Sequence, residues 1–415
     1  MNVLYVTQYF SLTPTHASTV TTHEIVRGLA ERGHNVTVVS PHSPGVFLLF
    51  EKNTGNVKVI KAIPFPKSIA RWYNGFGTFL SHTVAYLPLL INAIVVSRRH
   101  GHFDVIISMY HPSHMASFSA YLLSRIFKLP LVIKTHDVYG FTSNLLRSLY
   151  LHFLDNLYRV ILKRAECVSV VSDYLKSKVI ETHGLERSKV LVFPNGVNVR
   201  RFRSRTDSDS LRSSLSVVNK KVVLFIGAIT QDRGLDLLVK ALPKILLKNS
   251  NAIVLIVGEG PQKSNLKKLA KDIGVERFVQ FLPSVAHNDI PSYISLAEIT
   301  VGPLVARLET LGSVPRKVLE YMACAKPVVS SRGGVAQDLI MDRRNGFLIQ
   351  PANVEELASV ISEVLRDPNL GKEIGLNARN HIAKFYDWDT IMNDFEKVLC
   401  AMVNGDKQNF THEVG

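Results

Sequence analysis

The sequence predicts an α/β protein made of two doubly wound, Rossmann-like domains. Short apolar runs of strand length alternate with segments whose apolar residues recur at helical spacing, over nearly the whole chain. That alternation breaks off once, at 194–219, and then restarts. A length of 415 residues suits two or three domains, each able to bury its own core. Strands that read as near-continuous apolar runs belong to parallel sheets covered on both faces.

In the first domain, strands are expected at 2–7, 35–40, 57–62, 105–109, 131–135, 167–171 and 190–193. Helices are expected at 17–32, closed by Gly33-His34, and at 115–127, 144–165 and 173–182. The stretch 194–219, PNGVNVRRFRSRTDSDSLRSSLSVVN, is rich in Arg, Ser and Asp and has no core period. It reads as a boundary, with 196–219 linking a domain of 1–195 to one of 220–380. Strands then follow at 222–227, 252–257, 279–282, 299–303, 328–331 and 347–349. Helices are expected at 235–247 and 262–273, from Pro315, at 354–366, and as a long region through about Met402. Residues 404–415 read as a disordered tail. Two such domains facing each other would place a ligand cleft at the carboxyl ends of both sheets.

Composition is that of a globular protein, 46% hydrophobic and 20% charged. The formal net charge of +15 is uneven: residues 1–200 hold 21 Lys/Arg against 10 Asp/Glu, and residues 201–415 hold 28 against 24. The basic first half is expected to meet an anionic partner, of which a membrane surface is the preferred one. Nucleic acid is disfavoured, because the aromatics are not interleaved with the basic runs. Three scattered cysteines fit no disulfide framework or zinc spacing, and the start MNVLYVTQYF lacks a basic n-region, so a cytoplasmic location is expected. Residues 79–96 are long and apolar but contain Ser81, His82, Thr83, Pro88 and Asn92. They read as a buried or interfacial helix and not as a span.

The stretch 301–334, VGPLVARLETLGSVPRKVLEYMACAKPVVSSRGG, reads as strand, polar loop, helix and strand. Pro315 suits a first helical turn. The free amides there, with those of Gly312, Ser313 and Val314, make an anion site to which Arg316 and Lys317 add charge. Glu320 lies a turn deeper on the face shared with Lys317, where it could accept two ribose hydroxyls from a bound nucleoside diphosphate. The plain alternative is a charged surface helix with an i,i+3 ion pair. Two more strand-end turns, 227–235 with Arg233 at the helix entrance and 258–261, would converge on the same nucleotide.

His136 directly follows a strand and would point into the cleft, where it could donate to a substrate oxygen. The ordinary reading is a structural His near Asp137. His111 and His114 lack a third ligand nearby and read as loop histidines. Asp207-Ser208-Asp209 mimics a metal-holding D-x-D but lies in the polar stretch and reads as solvated. The first loop, 8–18, is no dinucleotide fingerprint: there is no G-x-G-x-x-G, and no carboxylate ends the second strand.

These pieces together resemble the family-4 glycosyltransferases, retaining enzymes of the GT-B fold. The resemblance rests on LAERGHNVTVVSP (29–41), KTHDVYG (134–140), VSVVSDYLKS (168–177) with VFPNGVNVRRF (192–202), and FIGAITQDRGLDLLVKAL (225–242). IVGEGP (256–261), VPRKVLEYMACAKPVVSSRGG (314–334) and NGFLIQPAN (345–353) complete it. It implies a nucleotide-diphospho-sugar donor, UDP- or GDP-linked, in the second domain. Glu320 would hold the ribose, the amides of Gly312, Ser313 and Val314 the phosphates with Lys317, and Arg233 would stand where the family has a diphosphate-binding Lys. His136 matches the family's active-site His. A C-terminal helix, 381–403, would cross back to the first domain, which would take the acceptor.

Three departures stand out. The family's paired glutamates are eight residues apart, which from Glu320 lands on Gly312, so either Glu309 of the same loop serves as the missing first Glu or the chain belongs to a branch reading VPxKxxEYMA without it. The family's strand-end G-R-L has Ala228 for its Arg, and its first-loop glycines are replaced by Thr15-His16-Ala17. The expected activity is metal-independent, cofactor-free transfer of a hexose to a glycan or polyprenyl-phosphate-linked acceptor at the inner membrane face. The alternatives are a nucleotide-sugar epimerase or phosphorylase on the same fold, or a non-catalytic basic protein.

Overall fold

The computed structural model describes residues 1–7, 10, 17–40, 57–61, 102–110, 116–136, 145–204, 209–304, 316–333 and 335–406. The chain divides into two compact units, Met1–Pro194 with Ile391–Gly415, and Asn195–Thr390.

In the first unit, β1 (Asn2–Val6), α1 (Ala17–Glu31), β2 (Asn35–Ser40), β3 (Val57–Lys61), β4 (Val105–Met109) and α2 (Ala116–Phe127) come first. Then follow β5 (Leu131–Lys134), α3 (Leu145–Arg164), β6 (Cys167–Val170), α4 (Asp173–His183) and β7 (Val190–Val192). The strands form one parallel sheet in the order β3-β2-β1-β4-β5-β6-β7. The apolar runs behave as two-sided buried strands must. Leu4, Val6, Ile106, Ile133, Val168 and Val190 face a core closed by Leu123, Ile161 and Leu175 of the helices. One buried cation interrupts it: Lys134 Nζ donates to Phe193 O at 2.9 Å, and burial lowers its pKa to about 7.

In the second unit, α5 (Asp209–Ser214), β8 (Lys221–Ile226), α6 (Leu235–Lys248), β9 (Ala252–Val257), α7 (Lys263–Asp272), β10 (Val279–Leu282), α8 (Ile290–Ser295) and β11 (Ile299–Val301) follow in turn. The chain continues with α9 (Arg316–Ala323), β12 (Val328–Ser331), α10 (Val335–Leu339), β13 (Phe347–Ile349), α11 (Val354–Arg366) and α12 (Pro368–Phe385), and then with α13 (Trp388–Val403), which from Ile391 on belongs to the first unit. Its sheet is also parallel, in the order β10-β9-β8-β11-β12-β13. Side chains of β8 alternate strictly. Val222, Leu224 and Ile226 enter one core with α9, and Val223 and Phe225 enter the other with α6 and α11. In both sheets chain order reverses beside the first strand, at β1/β4 and β8/β11, the switch points where such sheets leave a crevice at their carboxyl ends.

Two features differ from the sequence reading. Residues 196–219 are not a free linker: Val197, Phe202 and Val217 are buried in the second unit's core, and Asp209–Ser214 is helical. Their spacing follows no single period because they reach the core from turns. The long C-terminal helical region is broken at 386–387. There Val197 N donates to Tyr386 O at 2.9 Å and Trp388 N to Val197 O at 3.2 Å, which takes the backbone groups a continuous helix would need. Helix α12 itself starts anew at Pro368, with Asp367 capping the amides of Asn369 and Leu370. Among the described residues no helix is long and apolar enough to cross a membrane. Residues 79–96, and the tail from 407 on, lie outside them.

Candidate functional site

The β8/β11 switch point carries the site. Strand β11 pairs with β8 only through Ile299↔Val223 and Thr300↔Leu224, so Ile226 has no strand partner on that side. Tyr321 of α9 fills the gap: its hydroxyl accepts from Ile226 N at 2.8 Å and donates to Ile226 O at 3.2 Å. The phenol is fully buried. It anchors the second turn of α9 at the carboxyl end of β8.

One turn earlier on α9, Lys317 runs inward over the same strand end. Its Nζ lies 4.2 Å from the centroid of the Phe225 ring, a cation–π contact. Space for it exists because residue 227 is glycine: a Cβ there would stand 2.5 Å from Lys317 Nζ, and φ is +146°. Burial, then the neighbouring Arg233, pushes the Lys317 pKa down to about 7, against the opposing pull of Glu320 and Asp232.

Arg233 ends the 3₁₀ turn Gln231–Arg233, before Gly234, whose φ of +66° opens α6. Its Nε lies 3.3 Å from Asp232 Oδ2. The strand-end turns are knitted together. Ile229 N donates to Glu259 O at 2.9 Å, Gln262 N to Ile229 O at 3.1 Å, and Leu304 N to Arg233 O at 3.1 Å. Hence the loops after β8, β9 and β11 meet at one place.

Glu320 sits a turn along α9 from Lys317, its side chain only 12% exposed. Its Oε1 is 4.0 Å from Arg316 and 3.4 Å from His287 Nε2. The i,i+3 pair that the sequence suggested with Lys317 is replaced by this i,i+4 contact with Arg316, because Lys317 turns into the unit. Chemically the arrangement is an under-neutralised cationic pocket, Lys317 with Arg233, beside an acceptor carboxylate. It can take a phosphate-bearing ligand whose hydroxyls reach Glu320.

Of the residues singled out from sequence, Arg233, Lys317 and Glu320 are gathered here in the second unit. His136 stands two residues beyond β5 in the first unit, half-buried. Glu309, Gly312, Ser313 and Val314 lie outside the described residues. Asp209 is exposed at the first turn of α5, while Asp207 and Ser208 also lie outside. Sequence reasoning missed His287, Arg201 and Asp232. The available signal was a polar HND loop after a strand, and an Arg in what read as linker.

Comparison with known proteins agrees with this picture. The model of Glycosyltransferase Family 4 matches residues 18–201, and that of Glycosyl transferases group 1 matches residues 207–381. A GDP-mannose-dependent α-(1-6)-phosphatidylinositol monomannoside mannosyltransferase of Mycolicibacterium smegmatis is 27% identical over 232 residues, 54% of this chain and 60% of that protein. The chain thus matches about three fifths of that relative's length. An α-D-kanosaminyltransferase of Streptomyces kanamyceticus is 24% identical over 86% of this chain and 93% of its own length. Among solved structures, HepE of Anabaena in complex with UDP superposes with a TM-score of 0.74 at 21% identity, covering 97% of this chain and all of HepE.

Two parallel-sheet α/β units with this likeness define a GT-B protein. The chain belongs to the family-4 glycosyltransferases.

Proposed function

We propose that this chain is a retaining glycosyltransferase that moves a hexose from a UDP- or GDP-linked sugar to a hydroxyl of a glycan or lipid-linked oligosaccharide. The observation that carries the reading is Lys317: a half-buried lysine whose ammonium turns in over Phe225 beside Arg233, with Glu320 one turn away, at the switch point of the second sheet. Such a cation is completed by a diphosphate. The activities of the relatives, one GDP-mannose-dependent and one a kanosaminyltransferase, and the UDP held by HepE support the donor class.

Breaking the anomeric bond leaves charge on the departing diphosphate. Lys317, Arg233 and the amides before α9 answer that charge, so the proposal assigns no metal ion or organic cofactor to the step. In a same-face attack the leaving phosphate takes the acceptor's proton, and no separate base is assigned. Glu320 grips the ribose. His136 is assigned to the donor sugar, Gly312, Ser313 and Val314 to the phosphates, and Glu309 to the sugar in place of the family's first Glu.

The test is nucleoside diphosphate release from UDP- and GDP-hexoses, expected only when a glycan acceptor is present. Glu320→Gln and His136→Ala are each expected to lower kcat/KM at least about 100-fold, by loss of a charge-assisted contact and a donor near the reacting sugar. Unaltered turnover in both variants overturns the assignment; no release with any acceptor, with the nucleotide sugar epimerised or a glycan cleaved by inorganic phosphate instead, favours an epimerase or a phosphorylase.

The excess of Lys/Arg in residues 1–200 supports a cytoplasmic protein bound peripherally to an anionic membrane that carries the acceptor. Flotation with phosphatidylglycerol vesicles is expected at low salt and not at 0.5 M salt, since screening removes surface attraction. Failure to float at low salt removes the membrane from the proposal.

A further inference from the structure

Glu320 is held by side chains that the proposed chemistry does not call on. Arg201, from the start of the second unit, donates through Nη2 to His287 Nδ1 at 2.6 Å and to Asn288 Oδ1 at 2.8 Å. His287, from the loop after β10, reaches Glu320 Oε1 through Nε2 at 3.4 Å. Phe202 packs beside both, its ring centroid 5.5 Å from that of His287 and 5.7 Å from the Arg201 guanidinium.

A guanidinium offers donors only, so the imidazole nitrogen facing it must present a lone pair. The ring hydrogen then sits on Nε2, aimed at the carboxylate. Arg201 thereby fixes the tautomer of His287, and His287 tethers Oε1 of Glu320, the same oxygen that lies 4.0 Å from Arg316. A glutamate loses rotamer freedom when it is fixed. A carboxylate already held by its neighbours loses less of it on gripping a ligand.

We propose that Arg201 and His287 are positioning residues for Glu320, and that they set the preference of this site for a ribonucleotide. They hold the carboxylate in the one orientation that two vicinal hydroxyls can share. The inference rests on the reading of Glu320 as the ribose ligand.

The experiment is equilibrium binding of UDP and GDP, each against its 2′,3′-dideoxy counterpart, to the full chain and its variants. The unsubstituted protein is expected to prefer the ribonucleotide by about tenfold or more, the weight of one charge-assisted hydrogen bond. His287→Ala and Arg201→Met are expected to cut that preference to about twofold by weakening the ribonucleotide alone. Unchanged dideoxy binding reports an intact fold. His287→Gln, which keeps an N–H donor, is expected to restore most of the preference. A His287→Ala variant that keeps the full preference, or that weakens both ligands equally, overturns the proposal. If the unsubstituted protein binds ribo and dideoxy forms alike, Glu320 is not on the ribose and both readings fall. Loss in the variants alone cannot produce that pattern.

Discussion

Replacing Lys317 with Met is expected to weaken nucleoside diphosphate binding roughly 100-fold, the effect of removing a charge-assisted contact from a buried anion site. Folding should not suffer. The folded protein holds Lys317 with its pKa lowered to about 7, whereas the unfolded chain holds it in the ordinary lysine range. Between those values the unfolded state binds the extra proton, so Lys317 makes the fold less stable as pH falls toward 7. Met at the same place, over the Phe225 ring, removes that liability. The melting temperature of Lys317→Met at pH 6.5 is therefore expected to equal or exceed that of the unsubstituted protein.

Binding carries the opposite sign. A diphosphate raises the pKa of Lys317, so the ligand takes up a proton with it above pH 7. Affinity is expected to fall about tenfold from pH 6 to pH 8, after correction for the ligand's own titration, and the slope should vanish in Lys317→Met. Calorimetry in buffers of different ionisation enthalpy reads the proton uptake directly. A pH-independent affinity, or a Met variant that binds as well as Lys, would place the diphosphate elsewhere.

Gly258→Ala is expected to be the most disruptive single-methyl change in the second unit. Its φ of +144° is one that alanine adopts only with strain, and a Cβ there would overlap the backbone oxygen of Gly227. Backbone cannot swing aside as a side chain would. Gly227 N is tied to Val257 O at 2.9 Å and Gly258 N to Leu282 O at 3.1 Å, so relief must spread three strand ends. A loss of about 3 kcal/mol or more is expected, a fall in melting temperature of roughly 6–12 °C for a unit of this size. Gly274→Ala is the control: its φ is +72° but a Cβ meets nothing within 4 Å. It should lose only about 1 kcal/mol. Equal losses in both variants would show that the overlap relaxes without strain.

The sheets were legible because parallel strands covered on both faces must be apolar throughout. Strand bounds such as Asn35–Ser40, Val105–Met109, Ala252–Val257 and Val279–Leu282 are those the sequence suggests. The short helices at Ile290–Ser295 and Val335–Leu339 were not, since a turn or two shows no period. Residues 196–219 misled for a related reason. Val197, Phe202 and Val217 reach the core singly from turns, among exposed Arg and Ser.

Within the site, Arg233, Lys317 and Glu320 could be named because strand ends and helix starts are places the sequence marks. The inward turn of Lys317 could not, for it depends on Gly227 and Phe225, some ninety residues earlier in the chain. The contact of Arg201 with His287 spans 86 residues between two irregular segments, and no local pattern encodes it.

Tyr321 has a wider consequence. Because a side chain satisfies both main-chain groups of Ile226, the two neighbouring strands can diverge there without leaving unmet donors or acceptors. The parting of β8 from β11 is therefore a stable opening built by one phenol, and the helix that carries it is registered to the sheet at the very point where the strands diverge.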